Sequence, residues 1–209
     1  MPRRADPIPY THRLRLAEAD PARGGKPVYL LFEPMRADDV PTVAAIEQAS
    51  FPTPFTPAMF RAQLVDPDSS WWVVRRSGGD PFRTTAPPLS YIGHFRSGLG
   101  THIAKIATDV PWRRRHLGEW TLLNMLLAAH GQGAAYASLE VRARNTAART
   151  LYRKLGFTEL QRIDGYYQDT GEDGCILAYP GLANRKAFLH LTKALAATSV
   201  DMSDRPSSS

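Results

Sequence analysis

Residues 103–157, IAKIATDVPWRRRHLGEWTLLNMLLAAHGQGAAYASLEVRARNTAARTLYRKLGF, constrain the fold more than any other part of the chain. They read as strand, Arg-rich turn, apolar helix, strand and second helix. The helix predicted over 117–130 is apolar on nearly every side, so it must be buried against a sheet and under other elements. Gly131 and Gly133 stop it. Residues 136–142 then read as a strand in which Glu140 faces opposite to Leu139 and Val141. Asn145 caps a helix whose Ala148, Leu151, Tyr152 and Leu155 share one stripe, ended by Gly156.

The turn that opens the apolar helix reads RRRHLG. A helix N-terminus offers unpaired backbone N–H groups and the positive end of its macrodipole. Glycine in such a turn lets the backbone approach an anion closely. Arg113, Arg114, Arg115, His116, Leu117 and Gly118 are therefore candidates for holding a phosphate. On its own, an Arg run fits a solvated face or a nucleic-acid patch equally well. Glu140 is open to two readings, a proton acceptor or half of an ion pair with Arg142. Tyr152 is either a packing ring or a proton donor. Lys105, unusual in a core strand, reads as snorkelling to solvent.

The remaining chain supplies the frame. Residues 1–26 mix Pro, Arg, Asp and Gly with little periodicity, which predicts a flexible basic arm. Residues 28–32 read as the first strand. Asp38 or Asp39 caps a helix with Pro41 in its first turn, and Thr56 followed by Pro57 opens a second one. Residues 71–75, 91–95 and 103–108 form an antiparallel meander. Residues 157–163 and 174–179 close the sheet around the loop DGYYQDTGED. An amphipathic helix over 184–197 and a disordered tail end the chain.

A chain of 209 residues, 43% hydrophobic and 22% charged, has material for one well-buried core. Its net charge of +6 favours anionic partners or serves solubility alone. The single cysteine, Cys175, rules out an internal disulfide and fits a reducing compartment. No apolar run approaches the ~20 residues that span a bilayer, and the first residues carry no signal-peptide core, so a cytoplasmic, membrane-free protein is expected. His94, His102, His116, His130 and Cys175 lack metal-ligand spacing, so no metal is expected.

RRRHLG after a strand, LEVR, and the run NTAARTLYRKLGF, in that order and spacing, resemble the acyl-CoA core of the Gcn5-related N-acetyltransferases (GNAT). The likeness is greatest to the RimI-type ribosomal-protein alanine N-acetyltransferases and covers roughly residues 35–179. It implies an α/β fold, a mixed and mainly antiparallel sheet flanked by helices, with a splayed cofactor cleft. It also implies acetyl-CoA as acyl donor and a protein N-terminal α-amine, a ribosomal one among the candidates, as acceptor. In that family Ile106, Ala107 and Thr108 match the strand end that meets the pantetheine arm. Residues 113–118 match the pyrophosphate turn, with His116 standing where the family has glycine. Asn145 is then helix cap and cofactor contact, Glu140 the general base, and Tyr152 the acid for the departing thiolate. Tyr166 and Tyr167 match the acceptor end of the groove or pack as a pair.

The expected organisation is an arm over 1–26, a GNAT domain over 27–181, an additional helix over 182–198 and a disordered tail over 199–209. The basic arm offers a surface for weak RNA contact. Two other functions fit the same sequence: a small-molecule amine acetyltransferase, and a catalytically degenerate module docked on RNA or protein.

Overall fold

The structure, a computed structural model, describes residues 11–20, 25–82 and 84–203. Among them are β1 (His12–Asp20), β2 (Lys26–Pro34), β3 (Ser69–Gly78), β4 (Pro88–Ser97), β5 (Gly100–Thr108), β6 (Ala137–Arg142), β7 (Thr158–Tyr167) and β8 (Glu172–Tyr179). These make one mixed sheet in the order β1-β2-β3-β4-β5-β6-β8-β7. Neighbours pair antiparallel except β5 and β6, which run parallel. Parallel neighbours need a crossover, and α3 (Leu117–Gly131) provides it. The other helices are α1 (Val40–Gln48), α2 (Pro57–Val65), α4 (Thr146–Leu155) and α5 (Arg185–Ser203). No helix among the described residues is long and apolar enough to cross a membrane.

Each face of the sheet has its own core. On one, α3 buries Leu117, Trp120, Leu122, Leu123, Met125 and Leu126 in a cluster with Phe32, Trp72, Ile92 and Leu139. On the other, Val40, Val43 and Ile46 of α1 and Phe60 of α2 meet Trp71, Val73 and Tyr91. A bulge links the two. Gly93 pairs with Lys105 but His94 pairs with Ile103, which leaves Ala104 unopposed. The extra residue shifts the alternation of β5. Ile103 and Ile106, three apart, therefore both pack towards α3, whereas Lys105 and Ala107 belong to the α1–α2 face.

Local signals explain several helix boundaries. Thr56 caps α2 by accepting from the Met59 N–H at 3.3 Å. Asn145 caps α4 through the Ala148 N–H at 3.1 Å, and Gly156 ends it at φ 103°. Asp39 stands at the N-cap of α1, but its carboxylate turns to Arg75 and the Arg36 N–H instead. A 3-10 turn over Ala37–Asp39 runs directly into α1 there.

The ends of the chain depart from expectation. Residues 1–10 lie outside the described residues, but His12–Asp20 is no loose arm: it pairs with β2 as an edge strand. Leu16 is only 7% exposed, and His12 stacks on Trp120 while its Nδ1 lies 2.6 Å from Asn124 Oδ1. Arg13 lies over the Phe82 ring. The last helix runs to Ser203, beyond the 198 expected, with Leu191, Leu195 and Thr198 buried; only residues 204–209 of the expected tail lie outside the described residues. Leu16→Ala should destabilise the protein by about 2–4 kcal/mol, the scale of a truncated core leucine. Urea unfolding measures this, and an unchanged midpoint would return β1 to the status of a loose arm.

Candidate active site

The parallel seam between β5 and β6 holds two pairs, Thr101 with Ala137 and His102 with Ser138. Beyond them β5 stays with β4 through Thr108, and β6 stays with β8 through Arg142. The two strands part, leaving a wedge with Ile106, Ala107 and Thr108 along one wall. Ala107 and Thr108 already lend their carbonyls to the Ser90 hydroxyl and the Arg113 guanidinium, at 2.8 and 3.0 Å.

The Arg-rich turn follows that wall. Among the described residues, the non-glycine residues with positive φ are Arg114 at 64° and His116 at 60°. A side chain in the left-handed region costs roughly 1–2 kcal/mol, so the turn is held by other contacts. Arg113 bonds the Ala49 carbonyl at 3.3 Å and Ser50 Oγ at 2.9 Å, tying the turn to the end of α1. Arg115 lies over the Trp112 ring. His116 faces its own helix, with Nδ1 3.2 Å from Glu119 Oε2. Glu119 also takes Lys154 Nζ at 2.6 Å and the Thr198 hydroxyl at 3.1 Å. Burial pushes the Glu119 carboxyl up, but bonds from Lys154, His116 and Thr198 outweigh it and hold it below its ordinary value. An acid in the first turn of α3 would repel a phosphate; Lys154 offsets that charge. The first N–H groups of α3, those of Leu117, Gly118 and Glu119, have no acceptor within the helix. This is a donor set suited to a pyrophosphate.

Glu140 projects from β6 just past the last parallel pair, on the face opposite to the buried Leu139 and Val141. Arg142 is not its partner. That guanidinium binds Asp169 and Thr170, each at 2.6 Å, and lies over the Tyr167 ring. Glu140 instead meets His102 Nε2 at 2.9 Å. Tyr152 is buried on α4, 5.7 Å from the Phe157 ring. Burial, then the neighbouring Tyr167, raises its phenol above the ordinary value, so it stays protonated at neutral pH. Tyr167 is pushed up to about 12, chiefly by burial, and feels the Glu140 charge as well. Tyr167 is thus within electrostatic reach of both Glu140 and Tyr152.

Several residues here carried no local signal. Glu47, fully buried on α1, takes Lys105 Nζ at 2.9 Å, the Phe55 N–H at 2.9 Å and the Tyr91 hydroxyl. Lys105 therefore turns inward rather than to solvent, over the rings of Phe51 and Phe55. Asp169 also accepts from Thr53 at 3.2 Å, which joins the loop after α1 to the β7–β8 hairpin. Among the described residues, no group of His, Cys, Asp or Glu is arranged to hold a metal ion.

A strand edge left open at a parallel seam can serve an amide-rich chain while a helix N-terminus takes its phosphates. That division of labour defines an acyl-coenzyme A transferase. The chain belongs to the Acetyltransferase (GNAT) family, whose model matches residues 40–157, and it is an acetyl-CoA-dependent N-acetyltransferase. It is 28% identical over 148 residues to the ribosomal protein bS18-alanine N-acetyltransferase of Escherichia coli (strain K12), covering 70% of this chain and 94% of that one. A provisionally named bS18-alanine N-acetyltransferase of Bacillus subtilis (strain 168) is 30% identical over 144 residues, 68% of this chain and 90% of that one. The crystal structure of the Escherichia coli S18-alanine enzyme superposes with a TM-score of 0.63 at 25% identity, covering 73% of this chain and 94% of that one. β1 and α5 lie outside the stretch matched by the family model.

Glu119 gives a pH test. Its folded pKa is depressed, so its charge contributes stability above the unfolded value of ~4.3. The contribution is lost as pH falls through the lower folded value. The native protein should melt higher than Glu119→Gln at pH 7, and the gap should close on acidification from about pH 4.3 downwards. A gap constant from pH 7 to pH 3 would mean that the charge of Glu119 does not hold the turn.

Proposed function

We propose that the acceptor is a protein N-terminal α-amine and that Glu140 and Tyr152 carry the proton transfers. The observation that carries this reading is the place of Glu140, on the wall of the wedge immediately past the last parallel pair. Acetyl-CoA, when bound, supplies an acyl carbon activated as a thioester. The backbone N–H groups at the start of α3, with the side chains of Arg114 and Arg115, hold its phosphates, and Arg113 braces the turn. The open edge of β5 at Ile106, Ala107 and Thr108 lines the pantetheine arm, and Asn145 supports it from the cap of α4. Glu140 takes a proton from the amine nitrogen. The Tyr152 hydroxyl holds the proton that the departing sulfur takes up, a role suited to a phenol kept protonated by its surroundings.

Amine chemistry favours an N-terminus over a lysine. With pKa values of ~7.8 and ~10.4, about a quarter of α-amines but only ~0.1% of lysines are neutral at pH 7.4. One carboxylate suffices for the former. The names of the Escherichia coli and Bacillus subtilis relatives add a ribosomal protein to the candidate acceptors. RNA contact through the N-terminal arm gains no support, because His12–Asp20 is committed to the sheet.

Acetyl transfer measured over ribosomal-protein N-terminal peptides, peptides with blocked N-termini and a free lysine, and small amines tests the reading. Transfer to free N-termini is expected; preference for a small amine would overturn it. Glu140→Gln should lower kcat by roughly 10²-fold or more, the scale of losing a general base, with acetyl-CoA affinity unchanged in calorimetry. Tyr152→Phe keeps the packed ring and should hold its melting temperature while the single-turnover rate falls. A full rate in the Phe variant would return Tyr152 to the core.

A further inference from the structure

His102 occupies the last rung of the parallel seam, opposite Ser138, where β5 and β6 are still close enough for side chains to meet. Its Nε2 reaches Glu140 Oε2 at 2.9 Å, and its Nδ1 lies 3.1 Å from Ser138 Oγ. The Phe95 ring covers it, with centroids 4.8 Å apart. Both ring nitrogens are engaged, which leaves the imidazole one orientation. The carboxylate can only accept, so Nε2–H donates to it, and Nδ1 accepts from the Ser138 hydroxyl, which holds the ring in that orientation.

We infer that His102 is a positioning residue for acetyl transfer, holding one oxygen of Glu140 so that the other faces the amine. The inference rests on the reading of Glu140 as base. A glutamate on a strand turns about three side-chain bonds, and one that is 28% exposed is open to water. A charge-assisted bond to a fixed ring confines it. His102 itself gives up no proton: the amine N–H bond breaks as an O–H bond forms on the free oxygen of Glu140. The carboxyl then returns the proton to solvent. The bulge at Ala104 puts His102 and Lys105, three apart, on the same face of β5, yet the two serve different carboxylates, Glu140 and Glu47.

A double-mutant cycle decides the matter, with kcat, KM for acetyl-CoA and melting temperature measured for His102→Ala, Glu140→Gln and the pair. His102→Ala should lower kcat roughly 10-fold, the scale of a mispositioned catalytic group, without changing KM for acetyl-CoA or the melting temperature. His102→Gln, whose amide can donate to the same oxygen, should recover most of the rate. In the Glu140→Gln background, His102→Ala should add nothing, because the two act as one unit. Full kcat in His102→Ala, or losses that multiply in the double variant, would overturn the assignment. An unaffected Glu140→Gln enzyme would instead remove Glu140, and His102 with it, from the chemistry. Should His102→Ala melt early, Ser138→Ala is read in its place: a several-fold fall in kcat supports the assignment and an unchanged kcat overturns it.

Discussion

A parallel seam two pairs long is the constraint on which this molecule turns. A strand edge that loses its partner leaves N–H and C=O groups exposed, each costing about 1–3 kcal/mol if buried without a bond. The fold tolerates the opening because α3 spans it. Its buried side chains pack on β2, β3 and β4 on one side and on β6 on the other, so the two halves of the sheet share one core. The wedge is therefore a fixed gap in a continuous structure rather than a boundary between two bodies.

Two buried carboxylates tie loops to this frame. Glu47 gathers Lys105, Tyr91 and the Phe55 amide, and so fixes the loop after α1 against the sheet. Glu119 gathers Lys154, His116 and Thr198, and so joins α3, α4 and α5 beneath the Arg-rich turn. Buried ion pairs often contribute little net stability, but breaking one leaves an uncompensated charge. Here both lie where a shift in backbone position would alter the site.

What was legible in the sequence was local. The Asn145 cap, the Gly156 stop and the Thr56 cap each depend on residues within a few positions and stand as read. So does the polar orientation of Glu140, set by alternation with Leu139 and Val141. β1 was missed although HRLRL alternates with period two, because its partner lies beyond a stretch of mixed composition that carries no hairpin signal in the sequence. His102 was weighed only as a metal ligand. Its pairing with Glu140 depends on the register of the short seam, which leaves no mark in a linear pattern. Lys105 and Glu47 are hidden likewise, since their positions lie 58 apart in the sequence.

The closing bond beneath the Arg-rich turn comes from Thr198, near the end of the last helix. During translation, α5 follows every other described element out of the ribosome. Until it docks on α3, Glu119 lacks one of its three partners and the apolar outer surface of α3 has no cover on that side. A nascent chain that has completed residues 40–157 has thus not yet completed the set of bonds that holds the Arg-rich turn.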